Sequence, residues 1–198
     1  MITLFHCHGT RSTRFIFLLE ELGVPYEIRP GRIPGPDANG LPHPDNPHPH
    51  GKVPAISDNG EVVFESPAIA LYLTDKYRQN NLGPAVGEPG RGAYVSWLSY
   101  YTGVTEPAFL CKFKGWEAPR GTAGWPPVEE VLAAIIKQLD HGPYFLGEHF
   151  SAVDILYGTT FAMFLNTPLL PKTPVIEAYA QRVVSRPAFA RAQAKDAG

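Results

Sequence analysis

The chain has 198 residues, 44% of them hydrophobic and 18% charged, with a formal net charge of −2, which is enough for one domain or two small ones with a substantial core. The near-neutral balance, without a clustered basic face, excludes a nucleic-acid footprint. The opening Met1-Ile2-Thr3-Leu4-Phe5 runs straight into a strand pattern with no basic leader, and no apolar run is long enough to span a bilayer, so a soluble cytoplasmic protein without membrane contact is expected.

In chain order, Ile2 to His6 predicts a strand, Ser12 to Leu22 a helix stopped by Gly23, and Tyr26 to Arg29 a second strand. Residues Pro30 to Gly51 carry prolines at 30, 34, 36, 42, 44, 47 and 49, which predicts an irregular excursion. Gly51 to Ile56, the tight turn Asp58-Asn59-Gly60-Glu61 and Val62 to Glu65 read as a hairpin. It leads to a helix with Ser66 as N-cap and Pro67 in the first position, followed by the apolar run Ala68 to Leu73. Residues 1–78 thus form an α/β unit.

The Gly- and Pro-rich stretch 79–90 reads as a linker, and 91–198 as an all-α domain. Helical spacing recurs there at Trp97, Tyr101 and Val104; at Val128, Val131, Leu132, Ile135 and Leu139; at Ile155, Thr159 and Ala162; and at Val175, Tyr179 and Val183. Pro107 is expected to kink or end the first of these helices near Glu106. Ser151-Ala152-Val153-Asp154 predicts a capping box, with Phe150 stapled against Ile155.

The start of the Ser66 helix suits a carboxylate, because first-turn N–H groups and the positive end of the helix dipole favour an anion. Cys7 and Cys111 fit neither a disulfide framework nor a CxxC redox pair. His6, His8, His43, His48 and His50 cluster in sequence but offer no helical i, i+4 pair and no cysteine partner, so no metal site is expected. Trp97, Tyr100, Tyr101, Phe109, Phe113 and Trp116 place aromatics on more than one helix face; the excess suits the wall of an apolar pocket, for which Trp97, Tyr101, Phe109 and Phe113 are the candidates.

Four segments in this order carry a resemblance. They are Arg11-Ser12-Thr13-Arg14 with Leu18 to Gly23; His48-Pro49-His50-Gly51-Lys52-Val53-Pro54-Ala55; Glu65-Ser66-Pro67-Ala68 through Leu73; and Ser151 to Asp154. Together with the tail Arg186-Pro187-Ala188-Phe189, the chain resembles the cytosolic glutathione S-transferases, in their bacterial and fungal, serine- or threonine-type rather than tyrosine-type branches. The resemblance implies a thioredoxin-like N-terminal domain, an all-α C-terminal domain, a homodimer, and glutathione as co-substrate beside a small apolar electrophile or hydroperoxide. It implies a cis Val53–Pro54 bond, with the Val53 backbone facing the tripeptide. It also assigns Lys52, Val53, Pro54, Glu65, Ser66 and Arg11 to glutathione, with Ser66 at the γ-glutamyl carboxylate and Glu65 at its ammonium. His48 or His50 would lie near the glycyl end. A glutathione-dependent isomerase, a disulfide-bond reductase and a non-catalytic glutathione-binding protein are the alternatives on the same fold.

Activation of the thiol is open at this point. A thiol of ordinary pKa, about 8.5, needs a donor, a helix N-terminus or a cation to become a thiolate near neutrality. Counting back from Glu20-Glu21-Leu22-Gly23, the family's serine falls on Gly9 or Thr10 and its cysteine on Arg11. Thr10 and Ser12 are the candidate catalytic hydroxyls, Arg11 and Arg14 the candidate cations, and Cys7 a strand-end thiol.

Overall fold

The computed structural model describes residues 1–33 and 43–196, so Pro34, Pro36 and Pro42 of the proline-rich excursion lie outside the described residues. Two compact units emerge, Met1–Asn80 together with the chain from Arg186 onward, and Asn81–Ser185.

In the first unit, β1 (Ile2–His6), β2 (Tyr26–Pro30), β3 (Ala55–Asp58) and β4 (Glu61–Phe64) form one sheet in the order β2-β1-β3-β4. β1 and β2 are parallel, joined through helix α1 (Thr13–Leu22), while β3 is antiparallel to both β1 and β4. Ile2 and Leu4 of β1 and Phe15, Ile16, Leu18 and Leu19 of α1 are fully buried, so the apolar spacing of both elements is used in one core. Gly23 ends α1 at φ 63, a left-handed position that suits a residue without Cβ.

The hairpin turns through Asn59 and Gly60 at φ 53 and 92, the two positive values of a two-residue turn matched to strand twist. β3 begins at Ala55 rather than Gly51. Helix α2 (Ser66–Lys76) starts with Ser66 as its first helical residue, and Glu65 occupies the cap position expected for Ser66.

The last helix, α8 (Pro187–Asp196), packs on α1 within this same unit, with Phe189 edge-on to Phe17 at 5.4 Å. Arg186 donates to both carboxylate oxygens of Glu21, at 2.6 and 2.9 Å. Glu20 accepts from Arg191, Lys195 and Tyr26. Burial works against ionisation of Glu20, but these donors outweigh it and hold the carboxyl at about 2.

The regular elements of the second unit are helices, α3 (Arg91–Tyr100), α4 (Glu106–Lys114), α5 (Val128–Leu139), α6 (Ala152–Phe164) and α7 (Pro174–Val184), with two isolated β-bridges between α5 and α6. Between α3 and α4, Tyr101–Thr105 forms a π-helical turn. Pro107 lacks an N–H, and the widened turn just ahead of it carries the helix past the break that the proline predicts.

The centre of this unit is aromatic. Tyr157 stacks on Phe145 at 4.2 Å and lies edge-on to Tyr101 at 5.0 Å, while Phe145 and Phe161 approach Tyr179. Beneath α6 the capping box forms as the sequence predicts, with Ser151 as N-cap. Asp154, completely buried, accepts from the N–H groups of Phe145 and Ser151 and the hydroxyls of Ser151 and Tyr179. Burial lifts its carboxyl to about 6, with the four donors opposing the rise. α6 meets α7 closely at Gly158, where a Cβ would fall 2.6 Å from Val183.

Candidate functional site

Strand register gathers the candidate residues of the first unit at one end of its sheet. Phe5 pairs with Ala55 and Ala55 with Phe64, so the exit of β1, the entry to β3 and the exit of β4 share an edge. The 7–12 loop, the Val53–Pro54 bond and the Glu65–Ser66 step extend from it. Val53–Pro54 is cis; Lys52 is exposed, Val53 half-buried and Pro54 buried.

Glu65 sits at φ 72 and ψ 130 with its side chain 64% exposed, a conformation that residues with a Cβ rarely adopt and that clusters at functional sites. Ser66 is 4% exposed, and its hydroxyl makes no hydrogen bond among the described residues. The first N–H groups of a helix have no intrahelical acceptor, and Pro67 has none to offer, so the Ser66 hydroxyl joins the Ser66 and Ala68 N–H groups as a third donor. This turn can hold a carboxylate, with a negative side chain at its rim to take a cation.

The 7–12 loop is knitted by hydroxyls. The Ser12 side chain is fully buried: its Oγ accepts from the Cys7 N–H at 3.1 Å and lies 2.8 Å from both His6 Nδ1 and Thr10 Oγ1, and 3.2 Å from the Cys7 carbonyl. Direct contact between Ser12 and a ligand thiol is therefore corrected, since no ligand reaches an oxygen enclosed by four protein atoms. Thr10, half-buried, donates to the Cys7 carbonyl at 2.7 Å. Arg11 is exposed, whereas Arg14 is buried and Cys7 is a half-buried free thiol.

One carboxylate that the sequence reading missed closes this loop. Asp196, at the end of α8, accepts from the Gly9 N–H at 3.3 Å and from the Thr13 hydroxyl, and lies 2.8 Å from His8 Nδ1. His6 Nε2 stands 3.1 Å from the same carboxylate without hydrogen-bond alignment. Burial lowers the His6 pKa, and its opposition by Asp196 is the smaller effect, so the ring is neutral near pH 7. With Nε2–H turned toward Asp196, His6 Nδ1 is the acceptor for Ser12. Nothing local announces a contact across more than 180 residues.

The expected pocket aromatics of the second unit are redistributed. Tyr101 is 1% exposed, with its hydroxyl 2.6 Å from Thr160 Oγ1, and Phe109 is buried and stacked on Phe164 at 5.9 Å. Both are core residues rather than pocket walls. Trp97 is half-buried and packs edge-on against Phe145 at 5.0 Å, while Phe113 is 64% exposed. A cavity of about 590 Å³ in this unit is lined instead by Cys111, Lys112, Trp116, Arg120, Pro127 and Glu129 among others. Among the described residues, no group of histidine, cysteine and acidic side chains is arranged to hold a metal ion, and no helix is long and apolar enough to cross a membrane.

Comparison with known proteins follows the same division. Residues 1–75 match the family model for the N-terminal domain of glutathione S-transferase, and residues 118–182 match that for its C-terminal domain. Glutathione S-transferase 3 of Schizosaccharomyces pombe is 42% identical over 78 residues, which is 39% of this chain and 31% of that protein. Glutathione S-transferase 1 of Triticum aestivum is 26% identical over 203 residues, spanning 92% of this chain and 88% of that protein. The solved structure of a sphingomonad glutathione S-transferase complexed with glutathione is 28% identical, with a TM-score of 0.77 over 98% of each chain. With two domain models of one family matched in order over more than half its length, the chain belongs to the glutathione S-transferase family.

Proposed function

We propose that this glutathione transferase binds the tripeptide along the shared edge of its sheet and presents the thiolate to an apolar electrophile or hydroperoxide. The reading rests on the start of α2, where the hydroxyl of a buried serine, without a partner among the described residues, and the first-turn N–H groups converge beside an exposed glutamate. The γ-glutamyl carboxylate takes these donors at the positive helix end. Its ammonium pairs with Glu65, the extended backbone lies against Val53 and Pro54, and Lys52 and Arg11 supply positive charge toward the remaining carboxylate and the thiol.

The thiol comes to the 7–12 loop. Thr10 is the hydroxyl there with surface to offer, and it donates to the thiolate by turning off the Cys7 carbonyl; Ser12, enclosed, acts as the group that orients it. The dipole of α1 adds to the same stabilisation. The protein acts as a cytoplasmic homodimer in conjugating or detoxifying reactions.

Both loop hydroxyls are engaged inside the protein, which favours binding without turnover as the second reading. Calorimetric titration with glutathione tests the site. A panel of a chlorinated nitroaromatic, a hydroperoxide and a mixed disulfide tests the chemistry and separates transfer from disulfide reduction. Glutathione binding without turnover on any of them selects the second reading, and absence of binding refutes both.

A further inference from the structure

We propose that His48 is a positioning residue that fixes the Glu65 carboxylate and thereby sets the discrimination in favour of a ligand carrying an ammonium group; this rests on the glutathione reading above. An exposed glutamate has several rotamers, and ordering it on binding subtracts from affinity unless it is already held. Glu65 projects from a strained backbone, and among the described residues its carboxylate stands beside the His48 imidazole, with Nε2 3.5 Å from Oε1, an ion-pair distance without hydrogen-bond alignment.

The imidazole is itself fixed on every side. Its side chain is 8% exposed and stands edge-on to Phe64 at 5.2 Å. The His50 N–H donates to its Nδ1 at 3.1 Å. A nitrogen that accepts carries no proton, so the ring proton is on Nε2, the atom that faces Glu65. The His48 N–H donates to Asn46 Oδ1 at 3.0 Å, the Asn46 amide donates to the Lys52 carbonyl at 3.1 Å, and the His48 carbonyl accepts from the Gly51 N–H at 2.9 Å. One oxygen of Glu65 thus faces an N–H of this loop at electrostatic range, and the other is left for the ammonium. The bonds within the loop tie His48 to the segment that carries Lys52.

The test compares glutathione with its des-amino analogue, N-glutaryl-cysteinylglycine, by calorimetry on wild type and on His48→Phe, which keeps the ring packing and removes both nitrogens. His48→Phe is expected to weaken glutathione about three- to thirtyfold, less than loss of a whole hydrogen bond to a charged group because Glu65 itself remains, and to leave the analogue within about twofold on the same scale. In a Glu65→Gln background the substitution should cost nothing further. Equal weakening of both ligands by His48→Phe, or no change in either, overturns the proposal, because a residue that only shapes the loop does not distinguish them. If His48→Phe does not fold by circular dichroism, His48→Gln, which keeps an N–H donor, should preserve the preference for glutathione, and its loss overturns the proposal. Wild-type protein that binds both ligands equally overturns the ammonium role and the proposal with it. Wild-type protein that binds neither overturns the glutathione reading instead.

Discussion

Replacing Ser66 by alanine separates ligand binding from folding at the start of α2. The hydroxyl has no hydrogen-bond partner among the described residues and caps no N–H, because Glu65 holds the cap position. Its removal therefore breaks no internal bond, and the change in unfolding free energy should stay within about 0.5 kcal/mol, the scale of an intrinsic helix preference. That is less than the roughly 1 kcal/mol that loss of a serine N-cap costs. Binding should respond differently. Pro67 contributes no N–H, so the hydroxyl is one of three donors available to the carboxylate, and a hydrogen bond to a charged group is worth about 1.5–3 kcal/mol. At 1.4 kcal/mol per decade that is about a 10- to 150-fold weaker Kd for glutathione. Calorimetry at neutral pH measures this, with thermal unfolding as the control. A glutathione analogue without the γ-glutamyl α-carboxylate should bind wild type and variant alike. Unchanged glutathione affinity, or an equal penalty on the analogue, refutes the assignment of the carboxylate to this turn.

In the 7–12 loop, Thr10→Ala should lower turnover by about tenfold to a thousandfold with little change in glutathione affinity, because the donor acts as negative charge develops; steady-state kinetics against glutathione titration checks the split. Ser12→Ala leaves the Cys7 N–H without its acceptor and should show mainly as lost stability, about 1–3 kcal/mol in urea unfolding. His6 is held neutral by burial, so its contribution to stability is present above the ordinary imidazole value of 6.5 and is lost as pH falls below it; His6→Gln should flatten that acid limb in unfolding measured against pH. Asp154→Ala strands four donors in the core of the helical unit and should cost more than about 3 kcal/mol, seen as a large fall in Tm, since each unmet buried group costs about 1–3 kcal/mol. Gly158→Ala drives a methyl into Val183 and should destabilise by about 1–3 kcal/mol, as overpacking does.

Local chemistry sufficed for much of this protein. Strand β1, helix α1 with its Gly23 stop, the Asn59-Gly60 hairpin and the Ser151–Asp154 box lie where the sequence places them, because turn geometry, capping and apolar period are decided by residues within a few positions of one another. The two-part fold class follows from the change of period along the chain, and the family from motifs in a set order. Other features depended on tertiary structure. The sequence cannot tell Glu65 from Ser66 as the cap, because that choice turns on how β4 delivers the backbone into α2 at φ 72. Nor does it say that Tyr101 and Phe109 face inward while Phe113 and Trp116 face outward: an aromatic on a helix suits core and pocket equally, and the neighbouring helices decide which it meets. Ser12 reads as an ordinary cap until His6, Cys7 and Thr10 close around it, and Asp196 reaches that loop only because α8 packs on α1. The Asp196 contact joins positions far apart in the chain, and the Ser12 contacts, though local in sequence, form only where the loop folds back on the end of β1; the packed three-dimensional arrangement decides both.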